Sequence, residues 1–306
     1  MNIIFIIAPL VLVAFIGFLS TKTQWLERTQ LDAITKFTFY IAIPAFLFYQ
    51  MSHADFSKHV TPALFAAFYL PVLLCYFLGG LVNYYFHPSL KKQASGSAVF
   101  ALGASYSNTI IVGLPILLMV VGEQVIAITF LIVTFHSAML FTLTSAISAK
   151  NTRFDWASFS KQIFSNPVVV SILLGLIVNV SSWSLPKVFN ESLLLIGKPA
   201  IPLALFILGG SLSFYQVKKE LTFIAIASAI KLIILPFIVY FTAHYLFHLN
   251  AITTTVLVIL SASPTGVNAY LIAKQQEKHQ ETVAGTVVVS TLMSVVTIPC
   301  WLWWLS

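Results

Sequence analysis

The sequence predicts an all-α polytopic membrane protein: ten transmembrane helices in two inverted five-helix repeats, with helices 4 and 9 interrupted. Three observations predict it. Of 306 residues, 59% are hydrophobic and only 8% are charged, where a soluble globular domain carries about 25% charge, so the bilayer is the solvent. The apolar runs are of spanning length, roughly 20 residues, and with short loops they occupy the whole chain. Landmarks of the first half recur in the second at a nearly fixed offset, the mark of an internal repeat.

Taken in order, the spans fall near 3–20, 31–51, 61–86, 94–120, 122–149, 164–182, 192–214, 220–248, 251–274 and 281–305, each an apolar run closed by polar residues. No basic residue precedes the first run and a second span follows directly, so the first is expected to stay as a helix and not to be cleaved as a secretory signal. The second carries Ala42-Ile43-Pro44-Ala45-Phe46-Leu47-Phe48. The third holds Cys75 and the tenth Cys300, both expected to act as small core hydrophobes. The fourth is interrupted by Gly103, Asn108, Gly113 and Pro115, and the fifth contains His136, expected as a hydrogen-bonded core histidine. The sixth repeats, at an offset of 158, the Pro9 and Gly17 of the first as Pro167 and Gly175. The seventh reads Ala200-Ile201-Pro202-Leu203-Ala204-Leu205-Phe206, identical to the second at five of seven positions and again 158 away. The eighth contains Lys231 and Pro236; the ninth is interrupted by Ser263-Pro264-Thr265-Gly266 and Asn268, and aligning its Ser261 with Ser105 gives 156.

Five spans per copy is an odd number, so the second copy enters the membrane from the other side. The halves are 1–149 and 164–306, joined by a linker at 150–163 expected in the cytoplasm. Inverted repeats of this kind characterise secondary transporters, in which two units rock about a midplane site. Charge sets the orientation, because Lys and Arg near span ends stay cytoplasmic. Alternate loops hold Lys22, Arg28 and Lys36; Lys91 and Lys92; Lys150, Arg153 and Lys161; Lys218 and Lys219; Lys274 and Lys278, whereas the opposite loops hold only Lys58 and Lys187. Both termini are therefore expected outside.

The interrupted spans carry the chemistry. Proline removes a backbone donor and clashes with the carbonyl four residues earlier, while Ser, Thr and Asn can satisfy the exposed backbone. A helix unwound at mid-membrane presents half-helix N-termini, whose free N–H groups and positive dipole ends attract anions. All nine carboxylates fall in loops or at span ends. Two lysines lie within spans: Lys198, placed to snorkel to the outer interface, and Lys231, eleven residues from the nearer end of its span. A central cation costs at least about 2.5 kcal/mol against lipid, so Lys231 is expected to face a cavity or a partner. A cationic interior without carboxylates selects an anionic passenger. The expected substrate-binding residues are Asn108, Thr109, Gly113, Pro115, Ser263, Pro264, Thr265, Gly266, Asn268 and Lys231.

These residues resemble the auxin efflux carrier family, which holds plant auxin exporters and bacterial permeases assigned to malonate or similar carboxylates. Asn108-Thr109-Ile110-Ile111-Val112-Gly113-Leu114-Pro115 is similar to the family's Asn-Thr-x-x-x-Gly-x-Pro crossover. Ser263-Pro264-Thr265-Gly266-Val267-Asn268-Ala269-Tyr270, followed by Ala273-Lys274, is close to the bacterial ninth-span pattern, and Lys231 with Pro236 and Pro202 with Gly209 also match. The resemblance covers the whole chain. It implies the crossed-helix fold of sodium/proton antiporters and bile-acid symporters, with helices 1, 2, 6 and 7 as scaffold and helices 3–5 and 8–10 as transport domain. It implies an elevator or rocking mechanism, Asn108 and the backbone around Pro264 at a substrate carboxylate, a homodimer through the scaffold helices, and a bacterial inner membrane. The linker 150–163 is short where plant exporters carry a long loop, and Ser107 stands where the plant motif has proline. A small mono- or dicarboxylate such as malonate therefore fits better than auxin.

Other classes find no residues to work with. No Gly-x-Ser-x-Gly, His-Glu-x-x-His, intramembrane aspartate pair or His/Cys metal cluster is legible, so neither an enzyme, a metal site nor a cofactor is expected. The cations are scattered, which excludes a nucleic-acid face, and no repeated filter suggests a channel. The alternative within the same architecture is a sodium- or proton-coupled symporter, with Lys231 and His136 as the titratable groups.

Overall fold

The computed structural model describes residues 3–54, 61–87, 93–148, 167–181, 183–214 and 220–306. The described residues form twelve helices: α1 Ile3–Lys22, α2 Arg28–His53, α3 Pro62–Phe86, α4 Ala94–Ser105, α5 Thr109–Val120, α6 Glu123–Ser148, α7 Pro167–Val180, α8 Lys187–Leu212, α9 Leu221–Leu246, α10 Ala251–Ala262, α11 Val267–Gln275 and α12 Gln280–Leu305. Of these, α2, α3, α6, α8, α9 and α12 are each long and apolar enough to cross a membrane. The spans expected at 94–120 and 251–274 are each a pair of half-helices, α4 with α5 and α10 with α11. The seventh span begins earlier than expected, at Lys187, and a turn at Lys198–Pro199 interrupts it and leaves Lys198 exposed. The linker 150–163 lies outside the described residues, as do Lys58, Lys91, Lys92, Lys218 and Lys219.

Three of the helical prolines share one arrangement. Pro44, Pro115 and Pro236 each follow a wide turn in which an N–H reaches back five residues: Ile43 to Thr38, Leu114 to Thr109 and Leu235 to Ile230. A proline ring collides with the carbonyl four residues earlier and donates no bond. One widened turn makes room for the ring without ending the helix.

Between helices in lipid the hydrophobic effect gives no drive, so close backbone approach through small residues holds pairs together. Helix α1 packs along α8, and the second half of α2 along α7. At the first contact a Cβ on Gly17 would stand 2.0 Å from the Phe206 carbonyl oxygen, and at the second a Cβ on Gly175 would stand 2.7 Å from that of Phe48. Only glycine fits at either place. Bulky side chains fill the interior, Phe68, Tyr76, Phe100 and Phe130 among them, while Phe15, Leu74, Ile177, Phe237, Val296 and Trp303 are exposed. This inversion of a soluble protein's surface is what an acyl-chain solvent requires. Cys75 is buried as expected; Cys300 is exposed, because its position on α12 faces outward.

Candidate functional site

Two helices stop in the middle of the bundle and their chains cross. The last turn of α4 closes with Tyr106 N–H donating to Leu102 O, and that of α10 with Ser263 N–H donating to Ile259 O. The segments beyond run antiparallel and pair like two strands. Ser107 bridges Thr265, Asn108 N–H donates to Pro264 O at 2.8 Å, and Gly266 N–H donates to Tyr106 O at 3.1 Å. The bridged residues are 158 apart in sequence, the offset of the other repeat landmarks. The 156 obtained by aligning Ser105 with Ser261 is thus two residues short, since similar residue types do not occupy equivalent backbone positions here.

Local chemistry explains why the chain unwinds at these points. Pro264 cannot continue the α10 ladder. A Cβ on Gly266 would stand 2.4 Å from Tyr106 Cε1, so glycine is needed for the strands to approach past that ring. Four of the backbone groups released by the breaks have substitute partners, as a water-free environment favours. Gly103 O accepts from Thr265 Oγ1 at 2.9 Å, and Ser107 N–H donates to His136 Nε2 at 3.0 Å. Thr265 N–H donates to Ser290 Oγ at 3.0 Å, and the Lys231 ammonium donates to Ser261 O. Helices α6, α9 and α12 thus each send one side chain to hold the crossing.

Helices α5 and α11 start at this crossing, so the N–H groups of their first turns have no acceptor within their own helix. Those turns line a cavity of about 730 Å³ whose wall includes Tyr106, Ser107, Asn108, Thr109, Gly266 and Asn268, and, away from the crossing, Arg28, Asp32, Lys36 and Lys274. Among the described residues, the side-chain amide nitrogen of buried Asn108 and the hydroxyl of buried Ser107 have no hydrogen-bond partner. Buried polar atoms are nearly always satisfied; both residues line the cavity, although these two atoms are themselves shielded from solvent. Tyr106 stacks on His136 at 5.2 Å between centroids, is linked through its hydroxyl to Ser137 Oγ at 2.8 Å, and accepts from Asn268 Nδ2 at 3.4 Å.

Of the residues singled out from the sequence, Asn108, Thr109, Gly266 and Asn268 stand on this wall. Gly113, Pro115, Ser263, Pro264, Thr265 and Lys231 do not. Ser263, Pro264 and Thr265 build the crossing from behind, and Gly113 and Pro115 belong to the early turns of α5, where a Cβ on Gly113 would stand 2.7 Å from Ser263 Oγ. Lys231 is wholly buried on the far side, on a carbonyl released by the α10 break and not on one released by its own Pro236. Sequence reasoning missed Tyr106 and Ser107, although both directly precede the Asn-Thr pair; it read Arg28 and Lys36 only as markers of orientation, and Lys274 as such a marker and as part of the family pattern.

The chain matches the family described as membrane transport protein over residues 2–158 and again over 149–302. It is 22% identical to the "Putative malonate transporter" of Rhizobium meliloti (strain 1021), over 96% of this chain and 92% of that protein. It is 24% identical to the "Uncharacterized transporter YfdV" of Escherichia coli (strain K12), over 96% and 95%. It is 22% identical to "Auxin efflux carrier component 8" of Arabidopsis thaliana, over 94% and 93%. With nearly its whole length matched and its spans broken at the family's crossover motif, the chain belongs to the membrane transport protein family, that of the auxin efflux carriers, and is a multi-pass membrane transporter.

Proposed function

We propose that this transporter carries a small organic carboxylate, binding it at the crossing of α4–α5 with α10–α11. The observation that carries the reading is the cavity wall at the crossing, where Asn108, Thr109, Gly266 and Asn268 stand at the starts of α5 and α11. A carboxylate accepts from such donors and from positive dipole ends. Three cations and one carboxylate further along the wall, Arg28, Lys36 and Lys274 against Asp32, add an attractive field for an anion. The names borne by two relatives, one for malonate and one for auxin, both denote carboxylates. Purified protein in liposomes should accumulate a labelled dicarboxylate such as malonate and no organic cation. Uptake of cations, or of no carboxylate in a panel of mono-, dicarboxylic and indole acids, would overturn the reading. Running the panel with and without a sodium gradient, and at two pH values, distinguishes ion-coupled symport from uniport.

The same proposal includes ten spans in two inverted repeats, with both termini outside. Its support is the reciprocal packing at one offset: Gly17 on Phe206 and Gly175 on Phe48 are related by 158 at both partners, and so are Ser107 and Thr265. Arg28, Lys36 and Lys274 come from loops that charge assigns to the cytoplasm, so the cavity opens inward, and alternating access follows when α3–α6 and α9–α12 move against α1, α2, α7 and α8. Single cysteines placed within 150–163 should react with impermeant reagent only from the cytoplasm, and one at Ser182 only from outside. The reverse pattern would invert the orientation.

A further inference from the structure

Away from the cavity, two histidines and a glutamate from distant parts of the chain meet at the ends of three helices. His87 closes the C-terminus of α3, Glu220 precedes the first residue of α9, and His279 precedes the first residue of α12. His87 Nε2 lies 3.1 Å from Glu220 Oε1, and His279 Nδ1 lies 3.9 Å from Glu220 Oε2. One nitrogen from each ring and one carboxylate oxygen all fall within 4.8 Å of one another. The histidine side chains are 2% and 0% exposed, and that of Glu220 is 34% exposed. Their rings meet edge to face at 4.7 Å, with Phe100 and Phe223 packed around them. Among the described residues, His279 Nε2 is buried without a hydrogen-bond partner.

We propose that His87, Glu220 and His279 form a binding site for a divalent transition-metal ion of the zinc class, which ties together the ends of α3, α9 and α12. Two imidazoles and a carboxylate form a set that zinc accepts, with the fourth position left to water. Ligand atoms around tetrahedral zinc stand about 3.4 Å apart for bonds near 2.1 Å. The His–Glu separations of 3.1 and 3.9 Å bracket that spacing, and the three ligand atoms, within 4.8 Å of one another, would draw together on an ion. Glu220 also accepts from Thr282 Oγ1, the kind of outer contact that orients a ligating carboxylate. Lys278, the neighbouring cation, is directed to Gln93 Oε1 at 3.3 Å.

A plain His–Glu ion pair holding helix ends is the competing account, and metal binding separates the two. Full-length protein, freed of any affinity tag and treated with chelator, is titrated with zinc chloride by calorimetry and with cobalt chloride by visible absorption. The expected result is one saturable zinc ion per chain, an intense four-coordinate cobalt spectrum, and a rise in melting temperature with zinc. His279→Gln and Glu220→Gln should each weaken zinc binding about 100-fold or more, beyond the 10- to 100-fold typical of lost outer contacts, and abolish the thermal shift. Glu220→Gln, at the more exposed position, serves if the buried histidine variant does not fold. Absence of saturable binding to the folded wild-type chain, or full-affinity binding in a folded variant, would overturn the site.

Discussion

Asn108→Ala should raise the KM for the transported carboxylate roughly 10- to 100-fold, with little change in melting temperature. Removing the partner of a buried charged group costs about 1–3 kcal/mol, and here the amide nitrogen has no partner within the described protein to lose. Its loss therefore breaks no bond in the described protein, and Asn108 stands on the cavity wall. Asn108→Asp should be worse still, since a carboxylate on the wall repels the proposed substrate. Pro264→Ala approaches the same site through the backbone. It restores a donor where α10 now stops, and an α10 longer by a turn would withdraw the Pro264 carbonyl from the Asn108 N–H. Transport by that variant should fall sharply in protein that still folds and inserts. Wild-type kinetics in both Asn108→Ala and Pro264→Ala would place the substrate elsewhere.

Lys231→Met should lower the melting temperature by several degrees and leave the KM of the surviving protein unchanged, with Lys231→Gln intermediate. The ammonium sits at the C-terminal end of α10, on the Ser261 carbonyl that Thr265 would satisfy in an unbroken helix. A cation there also meets the negative end of the helix dipole. Methionine fills the same space and leaves the carbonyl buried and unpaired, a loss of about 1–3 kcal/mol; glutamine returns a neutral donor. Melting curves and uptake kinetics on the same preparations decide the matter. A KM raised in protein of unchanged stability would return Lys231 to the substrate's electrostatic field, the role its sequence position suggests.

That contrast between Asn108 and Lys231 shows where sequence reasoning holds and where it stops. Both were legible as unusual: one lies in a helix-breaking cluster, the other is a lysine within an apolar run. Long apolar runs reveal spans because each backbone group in lipid must be satisfied within its own segment, and Pro264 with Gly266 reveals a break because their backbone preferences are local. The sequence could not say which side of the crossing a residue faces. Lys231 and Asn108 differ in expected role because one is held on the Ser261 carbonyl away from the cavity and the other lines it, an outcome of how seven helices pack.

By itself, then, the sequence determined the all-helical membrane class, the places where two helices stop and the resemblance that the family match bears out. Each of these rests on composition or on the conformational limits of neighbouring residues. The tertiary structure alone decided that Tyr106 and Ser107 join Asn108 on the wall, that Thr265, His136, Ser290 and Lys231 replace the broken helical bonds, and that His87 meets Glu220 and His279. The contacts of the crossing and of the histidine pair join residues 25 to 192 positions apart, and no local pattern encodes a meeting at that separation, because the chain conformation between the partners is set by packing and not by either partner.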